Sequence, residues 1–266
     1  MKYFVFADVH GFYSILKKEL EKQGFDENNE NHMLISLGDN FDRGEENYEM
    51  FLFLKKMYEK NKIILIKGNH EDLFIDMLIS GCVREVDKRN GTYGTLNELY
   101  KKVFNVDNEI TFGDYLDTYR KLKEIGFISL IDSMEDYYET NNYVFTHGFI
   151  PINGTWTYYY NENCEYNPNW RNVPKLGFKD ARWINGIEMS IKYKIGEPNK
   201  KIVVGHFHAS YGNVRKDLPG DLPDSILKKY EFSNLEYFKP YIDERIIAID
   251  ACTVLTKKVN VYVIED

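Results

Sequence analysis

Cysteine is scarce in this chain: Cys82, Cys164 and Cys252 are the only three in 266 residues. Odd in number, widely spaced and without a C-x-x-C pair, they argue against a disulfide framework and a thiolate zinc site, and they suit a reducing cytoplasm. Long apolar runs are missing too. No stretch approaches membrane-spanning length, and the apolar run within Met1–Asp8 is shorter than a signal-peptide core, so a soluble, unexported protein is expected. Positive charge is in deficit, 34 Lys and Arg against 42 Asp and Glu, for a formal charge of -8. That argues against the basic face that duplex nucleic acid or an anionic membrane calls for. A phosphate ester is still allowed as substrate, because two divalent ions and a few arginines can make a local positive pocket on an acidic protein. Internal repeats and low-complexity linkers are also absent. With 43% hydrophobic residues, the chain has ample material for one core and is read as one domain, 1–266.

Short apolar runs that end in turns mark the strands: Tyr3–Ala7, Met33–Leu37, Ile63–Lys67, Asn142–Phe145 and Ile202–Val204. Helical stripes lie between the early ones. Leu16 and Leu20 are one turn apart; Met50, Phe51, Leu54, Met57 and Tyr58 form a second stripe; Leu73, Phe74, Met77 and Leu78 form a third. This is a β-α-β-α-β order, in which ligands bind at the carboxyl ends of the strands. Residues 80–136 read as a mainly helical insertion beside the site, and the aromatic and asparagine-rich stretch Asn153–Gly177 as a wall or lid. Arg245–Asp250 and Val254–Ile264 read as strands joined through a Thr256-Lys257-Lys258 turn, completing a second sheet. The expected fold is α/β: two mixed sheets in a sandwich flanked by helices.

Five of the six histidines follow such apolar runs: D-V-H at Asp8 and His10, G-N-H-E at His70, T-H-G at His147, and G-H-F-H at His206 and His208. G-D-N-F-D-R-G, Gly38 to Gly44, adds two carboxylates and a guanidinium. Mixed nitrogen and oxygen donors of this kind hold a divalent metal pair, and a shared water then becomes hydroxide near neutral pH. Asp8 and His10, across one intervening residue, aim at one ion; Asp39 can bridge; Asn69, between a glycine and a histidine, is a further candidate ligand; His147 and His206 complete the second ion; His208 points back to the first. Without thiolates, the set does not choose among manganese, iron and zinc.

Taken in order, D-V-H-G, G-D-N-F-D-R-G, G-N-H-E, T-H-G-F-I-P and G-H-F-H resemble the calcineurin-like metallophosphoesterase pattern. The G-D-x-x-D-R-G form is similar to its phosphoprotein phosphatase branch, which includes bacterial and phage serine/threonine phosphatases and symmetrical diadenosine tetraphosphatases. Asn90–Tyr100 resembles an Asn-Gly-rich segment of bacterial members, and Ile249-Asp250 their C-terminal strand. The resemblance implies Asp8, His10 and Asp39 on one metal and Asp39, Asn69, His147 and His206 on the other. It implies His70 as the general acid, oriented and kept charged by Asp42, and Arg43 on the phosphoryl oxygens, with Asn69 also on the substrate side. Arg182, in A-R-W-I-N, is the candidate for a second phosphate-binding arginine. G-H-F-H, with His208, resembles the broader phosphoesterase ending, where protein phosphatases often carry another residue.

Blander readings apply elsewhere. Glu71 reads as a first-turn helix residue favoured by the macrodipole, His32 as a surface-loop residue, and the aromatics Trp156–Tyr160 as ordinary packing in preference to a nucleobase platform. The expected activity is hydrolysis of phosphomonoesters by direct attack of a metal-bridging hydroxide, with phosphorylated protein as first substrate. The alternatives are a diadenosine polyphosphate or other nucleotide ester, and a non-catalytic binding module.

Overall fold

The computed structural model describes residues 1–157, 161–218, 220 and 223–266. Its strands are β1 (Lys2–Phe6), β2 (His32–Ser36), β3 (Ile63–Leu65), β4 (Tyr138–Glu139), β5 (Tyr143–Phe145), β6 (Asn153–Trp156), β7 (Asn161–Glu165), β8 (Lys201–His208), β9 (Tyr241–Ile242), β10 (Ile246–Asp250) and β11 (Tyr262–Glu265). Helices α1 (Tyr13–Lys22) and α2 (Asn47–Glu59) join β1 to β2 to β3, and α3 (Asn69–Ser80) follows. The insertion supplies α4 (Glu85–Arg89), α5 (Thr92–Phe104), α6 (Tyr115–Glu124) and α7 (Phe127–Asp132). Then come α8 (Lys175–Ala181), α9 (Gly186–Ile191), α10 (Ser210–Asp217), α11 (Asp224–Glu231) and α12 (Thr253–Thr256).

One sheet runs β11-β1-β2-β3 and the other β4-β5-β8-β10-β9, each with parallel strands inside and antiparallel strands at an edge. Strand alternation divides the apolar residues into three cores. Tyr3, Val5 and Ala7 of the first strand meet Val203, Ile247 and Ile249 between the sheets. Phe4 and Phe6 point the other way, to α1, α2 and the insertion. Ile202, Val204, Ile246 and Ala248 face α8 and α9. The result is helices, sheet, sheet, helices, the expected α/β sandwich.

The insertion does not stand apart. Leu96, Leu99, Leu122, Phe127 and Ile131 are buried in the same cluster as Leu16, Leu34 and Phe51, so its helices help cover the first sheet.

Two local expectations are corrected. The last two strands are not a hairpin within one sheet: β10 pairs with β8, whereas β11 pairs with β1, and the short helix α12 carries the chain from one sheet to the other. Strand alternation cannot tell which sheet accepts a strand; here the first sheet's open edge beside β1 does. His32 is not in a loop but opens β2, half-buried, its ring 4.9 Å from Phe4 and 6.3 Å from Phe25. In 153–177, β6 and β7 form a hairpin, and Trp170 is buried against Tyr137 and Phe178. Trp156 packs edge-on to Phe207 and donates to Glu188. Tyr158, Tyr159 and Tyr160 lie outside the described residues.

Candidate metal and phosphate site

Asp8 follows β1, Asp39 follows β2, Asn69 and His70 open α3 after β3, His147 follows β5, and His206 and His208 end β8. All therefore lie at the carboxyl ends of neighbouring parallel strands. Turning these residues back over the sheet ends requires an unusual backbone. Of the thirteen non-glycine residues with positive φ among the described residues, six are Asp8, His10, Asp39, Asp42, Arg43 and His206. Left-handed conformations cost L-residues energy and concentrate where surrounding contacts over-determine them.

Those contacts are visible. Asp8 Oδ2 accepts from the His206 backbone N–H at 2.9 Å, joining the two sheets, and Asp39 Oδ1 accepts from the His70 N–H at 2.9 Å. Glu71 lies in the first turn of α3, as expected, but its environment adds a role that composition does not show. Fully buried, its carboxylate accepts from the backbone N–H groups of Asp39 and Asn40 at 2.9 Å and Gly68 at 2.8 Å, clamping the second and third strand ends together. Gly68 is required there by space: a Cβ would sit 2.1 Å from Asp39 Oδ1.

Hydrogen bonds select the free nitrogen of each imidazole. His10 Nδ1 donates to the Phe41 carbonyl at 3.0 Å, leaving Nε2 as a lone pair that accepts from Arg43 Nη1 at 3.0 Å. His147 Nδ1 donates to the Leu37 carbonyl at 2.7 Å, so Nε2 is turned toward Asn69 Oδ1. His206 Nε2 donates to the Trp183 carbonyl at 3.1 Å, leaving Nδ1. Donor atoms of His10, Asp39 and His70 lie within 4.8 Å of one another, and so do those of Asp39, His147 and His206. Asp39 belongs to both groups, as a bridge between two cations requires.

The electrostatics call for positive charge. Burial, reinforced by Asp250 and Asp39, pushes the Asp8 carboxyl well above its ordinary range, and burial raises Asp250 as well. Burial would also raise Asp39, but His147, His70 and His10 pull it well below. His147, although burial lowers it, is raised by Asp39 and its neighbours to about 9. Burial and the charge on His147 depress His206 to about 3, and burial with His70 and Arg43 depresses His10. Buried carboxylates and imidazole lone pairs competing for few protons form a donor set that divalent ions satisfy. These residues therefore fit a metal pair.

His70 Nδ1 lies 2.6 Å from Asp42 Oδ2, and its Nε2 accepts from Arg43 Nη2 at 3.0 Å. Burial lowers the His70 pKa, but Asp39 and Asp42 outweigh it and the net shift is upward. Asp8, His10, Asp39, Arg43, Asn69, His70, His206 and His208 surround a cavity of about 150 Å³. It adjoins a cleft of about 1240 Å³ that shares Trp183, His206 and His208 with it and opens past Trp156, Phe207 and Phe232.

Two expected site residues are placed differently. Arg182 is not at the cavity: 7% exposed, its guanidinium is bound by Asp72 of α3 and Asp136. Its charge is spent tying α8 to α3, because the helix end that carries it turns toward those carboxylates. His208 lines the cavity and, like Asp8, belongs to neither donor group, but its ring is turned to other partners: Nδ1 is 3.6 Å from Glu231 and Nε2 3.9 Å from Asp250, beside Phe232 and Phe238. Asp250, Asn90 and Trp183 also line the cavity, and their site role was not read from the sequence. Asp250, at the end of a strand as Asp8 and Asp39 are, carried the one signal that could have found it.

Residues 1–235 match the family model described as calcineurin-like phosphoesterase. Serine/threonine-protein phosphatase 2 of Salmonella typhimurium is 39% identical over 72 residues, 27% of this chain and 30% of that protein. The asymmetrical bis(5'-nucleosyl)-tetraphosphatase PrpE of Bacillus subtilis is 29% identical over 107 residues, 38% of this chain and 44% of that protein. The matched stretch thus spans less than half the length of each of these curated relatives. Among solved structures, the cold-active protein-tyrosine phosphatase of a psychrophilic Shewanella species aligns with a TM-score of 0.55 at 17% identity, covering 100% of this chain and 75% of that one, a likeness of fold alone. With the donor-lined strand ends in place and a family match through residue 235 of 266, the chain belongs to the calcineurin-like phosphoesterases.

Proposed function

We propose that this chain is a dinuclear metal-dependent phosphoesterase that hydrolyses phosphomonoesters, with serine- and threonine-phosphorylated protein as the first substrate class. The observation that carries the reading is the sharing of buried Asp39 between two groups of metal-competent donors. Of the first group, His10 and Asp39 would hold one divalent ion together with Asp8, which lines the same cavity, leaving His70 as the acid; Asp39, Asn69, His147 and His206 would hold the other, and manganese, iron and zinc all suit such donors. Bound there, the ions would supply Lewis acidity toward phosphoryl oxygens and lower the pKa of a water enough to provide hydroxide as nucleophile near neutral pH.

The protein's own groups do the rest. Arg43, whose two terminal nitrogens reach His10 and His70, binds the non-bridging oxygens with a planar pair of N–H donors. With Arg43 turned from His70 Nε2 to the phosphoryl oxygens, the protonated form of His70 keeps Nδ1–H on Asp42 and delivers the proton on Nε2 to the leaving oxygen. An alkoxide from serine or threonine needs that proton.

A second reading is a dinucleoside polyphosphate or other nucleotide ester. Trp183, 41% exposed where the small cavity meets the large cleft and edge-on to His206, favours it, because a part-exposed indole there can stack on a base. No helix among the described residues is long and apolar enough to cross a membrane, and three free cysteines support a reducing, cytoplasmic setting.

The deciding experiment compares kcat/KM for a phosphoserine peptide and a dinucleoside tetraphosphate with Mn²⁺. A higher value for the peptide supports the first reading, and a higher value for the dinucleotide replaces it with the second. Failure to hydrolyse any phosphate ester while metal is bound rejects catalysis and leaves a binding module.

A further inference from the structure

Three polar side chains of the insertion, Thr92, Thr95 and Glu98, follow one another at intervals of three along α5 and face one side, toward the loop at Asp42 and the first turn of α2. Thr95 Oγ1 donates to Asp42 Oδ1 at 2.7 Å and Thr92 Oγ1 to Asp42 Oδ2 at 2.9 Å. Glu98 accepts from Asn47 Nδ2 at 2.6 Å and from the Tyr48 N–H at 2.9 Å, and Asn47 Oδ1 in turn accepts from the Asp42 N–H at 2.9 Å. The insertion therefore grips Asp42 at both carboxylate oxygens and, through Asn47, at its amide. It also backs the next residue. Gly91, the residue before α5, lies so close to Arg43 that a Cβ would come 2.5 Å from its backbone nitrogen.

The grip is needed. Asp42 has φ 75°, a strained conformation for an aspartate, and Oδ2 must accept from both Thr92 and His70 Nδ1. A carboxylate free to rotate about its last bond would swing that oxygen away. With a hydroxyl on each oxygen and both threonines buried, the plane of the carboxylate, and with it the His70 ring, is set by a helix that contributes no metal donor.

We infer that Thr92 and Thr95 are positioning residues for the acid pair, and that α5 thereby fits the enzyme to esters with poor leaving groups. This rests on the proposed role of His70 as the acid. Esters of serine and threonine demand a well-aimed proton; aryl phosphates, whose leaving group is stable as an anion, do not.

The test measures kcat and KM for an alkyl and an aryl phosphate in Thr95→Val, Thr92→Val, Thr95→Ser and His70→Asn, with bound metal determined in each. A hydrogen bond to a charged group is worth enough to change a rate about tenfold. Thr95→Val is expected to lose about that factor in kcat on the alkyl ester and less than about twofold on the aryl ester, at unchanged KM and metal content. Thr95→Ser, which keeps the hydroxyl, should recover most of the loss even if the valine variants fold poorly. Equal losses on both esters, or none, while His70→Asn is selective for the alkyl ester, overturns the inference and leaves the acid role of His70 standing. If His70→Asn is itself indifferent to the leaving group, both fall.

Discussion

His147 Nε2 and Asn69 Oδ1 approach to 2.8 Å in the buried floor of the site, and His147 Nδ1 is already committed to the Leu37 carbonyl. Protonated, Nε2 donates to that amide oxygen, with Asp39 Oδ1 3.4 Å from the same nitrogen; a cation taking the place of the proton would be shared by all three.

Removing either partner should remove that cation. The wild type is expected to bind about two divalent ions per chain and Asn69→Ala or His147→Ala about one, with turnover falling by roughly two orders of magnitude because the two-ion clamp is broken. Elemental analysis of the purified variants checks it. Two ions retained at wild-type affinity would show that Asn69 and His147 are not donors.

Metal removal should make stability fall with rising pH. Groups raised in the folded state stabilise it below their unfolded pKa and lose that contribution as pH climbs through the folded value. Asp8 and Asp250 are raised, chiefly by burial. His147, against its burial and because of Asp39, goes from 6.5 to about 9. His10 and His206 are depressed, so above 6.5 they are mostly neutral folded or unfolded and contribute little slope. Asp39, also depressed, matters only in acid. The chelated protein should therefore lose Tm between pH 6.5 and 9, while bound ions take the place of the protons and flatten the dependence. Thermal melts with and without chelator read this directly; a chelated Tm that rises over the range contradicts the charge balance described above.

The two candidate arginines should separate cleanly. Arg43→Ala is expected to raise the inhibition constant for inorganic phosphate about tenfold, the loss of a charge-assisted pair of hydrogen bonds. Arg182→Met should leave that constant unchanged but destabilise the fold by roughly 3 kcal/mol, because Asp72 and Asp136 lose their common partner. Phosphate inhibition together with denaturant titration distinguishes them. A weaker phosphate affinity in Arg182→Met at unchanged stability would restore it as a substrate residue.

The legible part of the site was its chemistry at strand ends. Asp8, Asp39 and His147 each follow an apolar run by one to three residues, and a parallel strand order brings such positions together. Arg182 was misread because the sequence does not say which way a helix end turns, and the nearest carboxylates, Asp72 and Asp136, are remote in the chain. Glu71 shows the opposite error: its helical place was read, but the three backbone N–H groups it gathers come from two loops that meet only in the folded chain.

Local sequence alone determined the alternation that divides Tyr3, Val5 and Ala7 from Phe4 and Phe6, and the types of donor available, since both follow from side-chain chemistry and a two-residue period. Tertiary structure decided the rest. It placed β10 and β11 in different sheets, put six site residues in left-handed backbone, and delivered α5 of the insertion to Asp42. Those outcomes depend on packing between segments far apart in the chain, and the energy that holds a strained turn or seats a helix resides in contacts that exist only once the segments have met.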